Sequence, residues 1–166
     1  SWPTTSRPGK NSAAILAAAS LLVQKLLSGT KGMSRYARRK CAAQPFRQHR
    51  EVVLWWGTTV ECVSALARVE REAQTAKAAI QRGWAVLKTL RDGVLEIKPS
   101  EDIRLSAEHL LSKHPLRAAD SLQLAAALTW RESQPVGASF VALDRRLQTA
   151  AALEGFRVVP YPKEVQ

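Results

Sequence analysis

Three carboxylates could carry chemistry in this chain: Glu61, Asp120 and Asp144. Glu61 stands in TTVECVSALARVERE, Asp120 in LRAADSLQLAAALTW, and Asp144 closes FVALD before RRLQTAAALEG. Each falls near the start of a helical pattern, Glu61 and Asp120 within the first turns, and Glu61 and Asp144 closely follow an apolar run. A lone acid there compensates the helix dipole, an effect of about 0.3–1 kcal/mol. Three together are different, because carboxylates side by side repel unless a cation or a proton intervenes. A cluster of oxygen ligands with water in the remaining positions suits Mg²⁺ or Mn²⁺. Such an ion activates a water and stabilises charge on a phosphodiester. Whether the acids converge is decided by the fold.

The elements that must position them are legible from about Glu51 onward. Val52 to Trp56, β-branched and aromatic, reads as a short buried strand. Thr58 or Thr59 caps the helix carrying Glu61, whose apolar side is Val60, Val63, Leu66 and Ala67. A further helix spans about Thr75 to Arg91, and Leu95 to Ile97 fits a strand before Pro99. Ser100 opens a helix to about Lys113, and His114-Pro115 separates it from the helix of Asp120. Phe140 to Leu143 fits a buried strand. Asp144 begins the next helix, Gly155 ends it, and Arg157 to Pro160 is a last strand. Strands alternating with helices predict an α/β fold, a parallel sheet with right-handed crossovers. In such a sheet ligands bind beyond the carboxyl ends of the strands.

Ahead of Glu51 the chain changes character. Residues 1–12 read as loop, Ala13 to Leu27 as a helix with Ser12 as N-cap and Ser28-Gly29 as stop. Residues 30–50 are basic and weakly periodic. Ten of the 25 Lys and Arg lie in residues 1–50, which hold no Asp or Glu, so nearly all of the net charge of +11 sits there. A solvated basic arm, a nucleic-acid-binding arm and an organelle presequence all fit that composition. With 166 residues and 46% apolar content, one domain with a sizeable core is expected. Cys41 and Cys62 match no disulfide framework or zinc spacing, which points to a reducing, cytoplasmic setting. No apolar run reaches the roughly 18–20 residues of a membrane span.

The segments TTVECVSALARVERE, HPLRAADSLQLAAAL and FVALDRRLQTAAALEGFRVV resemble three motif regions of PIN-domain ribonucleases, most closely the VapC-type toxins of toxin–antitoxin pairs. The resemblance covers about residues 51–160, leaving 1–50 as a basic region and 161–166 as a tail. It implies a three-layer α/β/α sandwich around a parallel sheet. It also implies that Glu61, Asp120 and Asp144 help hold Mg²⁺ or Mn²⁺ and cleave single-stranded RNA. A cognate antitoxin and a homodimer are implied as partners, and no membrane.

The front of the chain departs from that family. Its first strand ends in a metal-binding Asp, whereas here the nearest match, Gly9 to Leu16, has Asn11 in that place and no apolar run before it. An amide oxygen can still ligate a metal, but without charge. A central strand would then be missing. A change of reading frame ahead of Glu51 would account for both the missing Asp and the absence of acids there; the nucleotide sequence tests this. The alternative reading is therefore a weak or inactive PIN-like protein that binds an antitoxin or nucleic acid. Arg117, Arg145 and Arg146 are candidate RNA contacts. Thr58 is read as a helix cap before a water ligand. Trp55 and Trp56 read as one core and one partner-facing residue before base-stacking platforms, and His49, His109 and His114 show no ligand or triad spacing.

Overall fold

The computed structural model describes residues 13–16, 51–71, 77–132, 139–142 and 144–159. In chain order these form β1 (Ala13–Leu16), β2 (Glu51–Trp55), α1 (Gly57–Arg71), α2 (Lys77–Gly93), β3 (Leu95–Ile97), α3 (Glu101–Lys113), α4 (Ala118–Glu132), β4 (Ser139–Val141), α5 (Arg145–Leu153) and β5 (Arg157–Val159). The strands make one five-stranded sheet in the order β3-β2-β1-β4-β5, and every pairing is parallel. The α/β class read from the alternation of elements is therefore present, with short strands and a predominance of helix.

The largest correction falls on Ala13–Leu16. Read as the start of a helix to Leu27, these residues are instead the central strand; residues 17–27 lie outside the described residues. Ala14 pairs with Val52 on one side and with Ser139 on the other. Alanine favours a helix, but propensity is worth less than 1 kcal/mol per residue. Two parallel ladders satisfy the backbone groups of β1 from both sides, and that outweighs it. The sheet is thus not missing its middle strand.

Alternation along the strands divides the core in two. Val53, Trp55 and Phe140 join residues of α3, α4 and α5 in one cluster, centred on Leu124, Ala125–Ala127, Leu110 and Leu147. Val52 and Leu54 join Cys62, Leu66, Val69 and Leu87, from α1 and α2, in the other. The run of buried alanines lets α4 lie close to its neighbours. Gly57 has a steric cause as well: a Cβ there would stand 2.6 Å from Trp55 Nε1, so only glycine leaves room for the indole. Gly155 ends α5 with φ +86°, a left-handed conformation suited to glycine.

Two contacts set the direction of the helices that matter for function. Arg131, in the last turn of α4, donates through Nη1 to the Glu154 carbonyl at 2.9 Å, and its guanidinium lies 4.5 Å above the Phe156 ring. His114 Nε2 and Lys113 Nζ meet Glu154 Oε1 at 2.8 and 3.3 Å. The ends of α4 and α5 are thereby tied together, and their beginnings share the opposite rim. The His114 hydrogen bond, reinforced by Lys113, holds the Glu154 carboxyl below its ordinary range despite burial. That stability is present above the unfolded carboxylate range and is lost as pH falls through the lowered value. Among the described residues, no helix is long and apolar enough to cross a membrane.

Candidate functional site

The rim where α4 and α5 begin is the carboxyl edge of the sheet. Asp144 follows β4 by three residues and is the N-cap of α5: its Oδ1 accepts from the Arg146 and Leu147 backbone N–H groups at 2.8 and 3.1 Å. Asp120 stands in the first turn of α4, with the Arg117 backbone N–H near its carboxyl. Burial, and next the charge of Asp144, push the Asp120 carboxyl above the ordinary aspartate range, against the Arg117 hydrogen bond and the charges of Arg117 and Arg146. Asp144 is thus close enough for its charge to disfavour that of Asp120. This is the repulsion expected when acids are brought together without a neutralising group.

Glu61 is tied to α4 by another route. α1 begins at Gly57, three residues before the start expected at Val60, so Glu61 lies beyond its first turn, which holds no acid. Thr59 Oγ1 donates to the Trp56 carbonyl at 3.3 Å and helps start the helix early. Gln123 Nε2 then donates to Glu61 Oε1 and Oε2 at 3.1 and 3.0 Å. Gln123 is three residues after Asp120, one turn along α4 on the same side. Glu61 is thus tied to the helix that carries Asp120.

Gln123 was not among the residues singled out from sequence. The available signal was a polar amide inside an otherwise apolar stripe, and it is buried at 3% exposure. Thr58, read as a cap, is wholly buried. Among the described residues, Thr58 Oγ1 and Gln123 Oε1 are buried without a hydrogen-bond partner. Buried orphans of this kind mark places where a water or an ion's hydration shell is accommodated. All donors at this rim are oxygens, and two are mutually repelling carboxylates. That set fits Mg²⁺ or Mn²⁺, which bind through one or two carboxylates and keep several waters. Three such residues do not, however, close into one cluster among the described residues.

The candidate phosphate contacts divide. Arg117 and Arg146 are near enough to act on Asp120, whereas Arg145, exposed on α5, is not among the charges that do. Asn11, the tentative fourth ligand, lies outside the described residues. The chain holds no Asp or Glu before Glu51, so β1 has no acid of its own to bring to this rim. Cys62, next to Glu61, is a core thiol; burial, and then the Glu61 charge, raise its pKa to about 12, so it is no nucleophile at neutral pH. No protein-family model matches the chain, and no curated protein is significantly similar to it.

The double duty of Asp144 yields a prediction. Asp144→Ala loses an N-cap and is expected to destabilise the protein by about 0.5–2 kcal/mol. Asp144→Asn keeps an acceptor for the cap and is expected to melt near the wild type. If both variants lose cleavage equally while only the alanine loses stability, the charge serves chemistry and the oxygen serves the helix. Urea denaturation beside an activity assay separates the two.

Proposed function

We propose that this protein is a PIN-like, metal-dependent endoribonuclease of toxin type, built as a three-layer α/β/α sandwich. The observation that carries this reading is the Asp120–Asp144 pair at the carboxyl rim of a parallel sheet. In the order β3-β2-β1-β4-β5 the direction of winding reverses between β1 and β4. Crevices at such reversals are where open α/β sheets bind ligands, and Asp144 follows β4 into this one. Asp120 and Asp144 would hold Mg²⁺ or Mn²⁺, with Glu61, braced by Gln123, as the third acid. When bound, the ion supplies a water activated for attack and positive charge for the phosphodiester transition state. Arg117 and Arg146 draw the RNA backbone towards the carboxylates, which would otherwise repel it. Unrestrained RNA cleavage would be harmful, so a cognate antitoxin over this rim and a homodimer belong to the same reading.

A second reading, a protein that binds but does not cut, is favoured by one fact: the strand at the reversal brings no acid, where the resembling nucleases have one. The two separate in one assay. Cleavage of single-stranded RNA in Mn²⁺, stopped by EDTA and absent from Asp120→Ala and Asp144→Ala, establishes the nuclease. Binding without cleavage, insensitive to EDTA and falling steeply with salt, establishes the second reading.

A further inference from the structure

We propose that Trp56 is the stacking platform for a base of single-stranded RNA beside the carboxylate rim; the inference rests on the nuclease reading above and names where its substrate lies. Trp55 and Trp56 are adjacent indoles with opposite fates: Trp55 is 8% exposed and Trp56 is 45% exposed. An exposed large apolar side chain is common on protein surfaces, so exposure alone decides nothing. Three further observations do.

First, the Trp56 backbone is anchored and its ring has a neighbour. Its backbone N–H donates to the Ile97 carbonyl at 3.0 Å, extending the β2–β3 ladder by one step. Its carbonyl accepts from Thr59 Oγ1. Its ring meets Trp55 edge to face, 6.5 Å between centroids and 75° between planes. Because Gly57 leaves room for the Trp55 indole, that support is fixed in turn. A platform already ordered loses little entropy when a ligand stacks on it.

Second, Trp56 is on the correct rim. It follows the carboxyl end of β2, and β1 alone separates β2 from β4. At about 4.8 Å between strands, the two strand ends are roughly 10 Å apart. A base on Trp56 therefore belongs to a nucleotide near the phosphate held at Asp144, not to a distant segment. Val60, one turn further on, is 59% exposed and widens the apolar surface. Glu61 follows it directly and is tied to the helix of Asp120.

Third, the surroundings suit a nucleotide better than a protein. A protein hot spot is ringed by surface that excludes water. Here exposed Lys98, paired with Glu96, follows the Ile97 that accepts from the Trp56 backbone, Glu61 follows Val60, and Arg117 and Arg146 lie by the acids. An aromatic face with cations and polar groups nearby is how single strands are bound without a sequence requirement, one base per ring.

The test uses the full chain carrying Asp120→Asn, so that RNA survives, and a fluorescein-labelled oligo(A) followed by anisotropy in Mg²⁺. Adding Trp56→Ala is expected to raise Kd by roughly 5- to 150-fold, the value of one stacked base. Trp56→Phe recovers most of the loss, and the slope of log Kd against log salt stays that of the parent, since no phosphate contact is removed. Trp84→Ala, which removes a comparably exposed indole from the middle of α2, leaves Kd unchanged. An abasic ribose-phosphate strand is insensitive to Trp56→Ala. The proposal is overturned if Trp56→Ala binds oligo(A) as the parent does, or weakens the abasic strand equally. It is also overturned if the loss appears only in binding to a protein partner. If neither this parent nor the wild type binds or cuts single-stranded RNA, the nuclease reading falls together with it.

Discussion

On the nuclease reading, Asp120→Asn is expected to abolish cleavage and, at neutral pH, to make the protein more stable. The loss of activity is expected to be on the order of 10³-fold, because one ligand worth several kcal/mol of transition-state stabilisation is removed. The gain in stability follows from the raised pKa of Asp120, set first by burial and then by Asp144. A carboxyl whose pKa is higher in the folded than in the unfolded chain penalises folding once it must ionise. The penalty is absent below the unfolded carboxylate range, grows as pH rises through the folded value, and is constant above it. Asparagine never carries the charge, yet its carbonyl can still accept from the Arg117 N–H. The stability difference between variant and wild type is therefore largest near neutral pH and vanishes in acid. Mn²⁺ narrows it from the other side, stabilising the wild type and not the variant. Thermal melts across pH, with and without metal, read all three effects. A variant no more stable than the wild type at neutral pH would mean that Asp120 carries no electrostatic strain.

Phe140→Ala is expected to cost about 3–5 kcal/mol, a large part of the 5–15 kcal/mol typical of a domain. Phe140 is fully buried at the centre of β4. It lies 5.3 Å from the Phe156 ring and packs in the cluster that joins α3, α4 and α5 to the sheet. Its strand is hydrogen-bonded to β1 and β5 at once, so the cavity cannot close by moving the backbone. Leu153→Ala, at a residue 71% exposed, is expected to change stability by no more than about 0.5 kcal/mol. Urea midpoints at constant slope provide the comparison. Because β4 delivers Asp144 to the rim, cleavage by Phe140→Ala should also fall in the fraction that remains folded.

Much of the fold is written locally. Leu95–Ile97 forms a strand over the residues its pattern indicates. Ser100 accepts from the Ile103 N–H and caps α3 as its position before Glu101-Asp102 suggests. Asp144 caps α5, and Gly155 takes the positive φ that ends it. These features depend on neighbours a few residues away, and side-chain type at short spacing is enough to read them. The apolar runs around Val53 and Phe140 are equally plain, since only a buried strand accommodates them at that length.

What escaped the sequence depends on distant partners. Ala13–Leu16 is a good helix former by composition and a strand in fact, because β2 and β4 offer ladders on both sides. Gln123 looks like a polar interruption until Glu61, sixty-two residues away, is placed against it. Asp120 and Asp144 are visible singly as residues at helix starts. The effect of Asp144 on Asp120 arises only in the folded chain, where packing on one sheet brings the starts of the two helices together and Arg131 and Glu154 tie their far ends. The sequence by itself determined the elements from Glu51 onward and the three acids near their helix starts, through interactions spanning a turn or a strand. The tertiary structure alone decided which strand is central, which acids share a rim, and which amide braces Glu61. Those choices rest on pairings whose energy appears only when residues far apart in the chain are in contact.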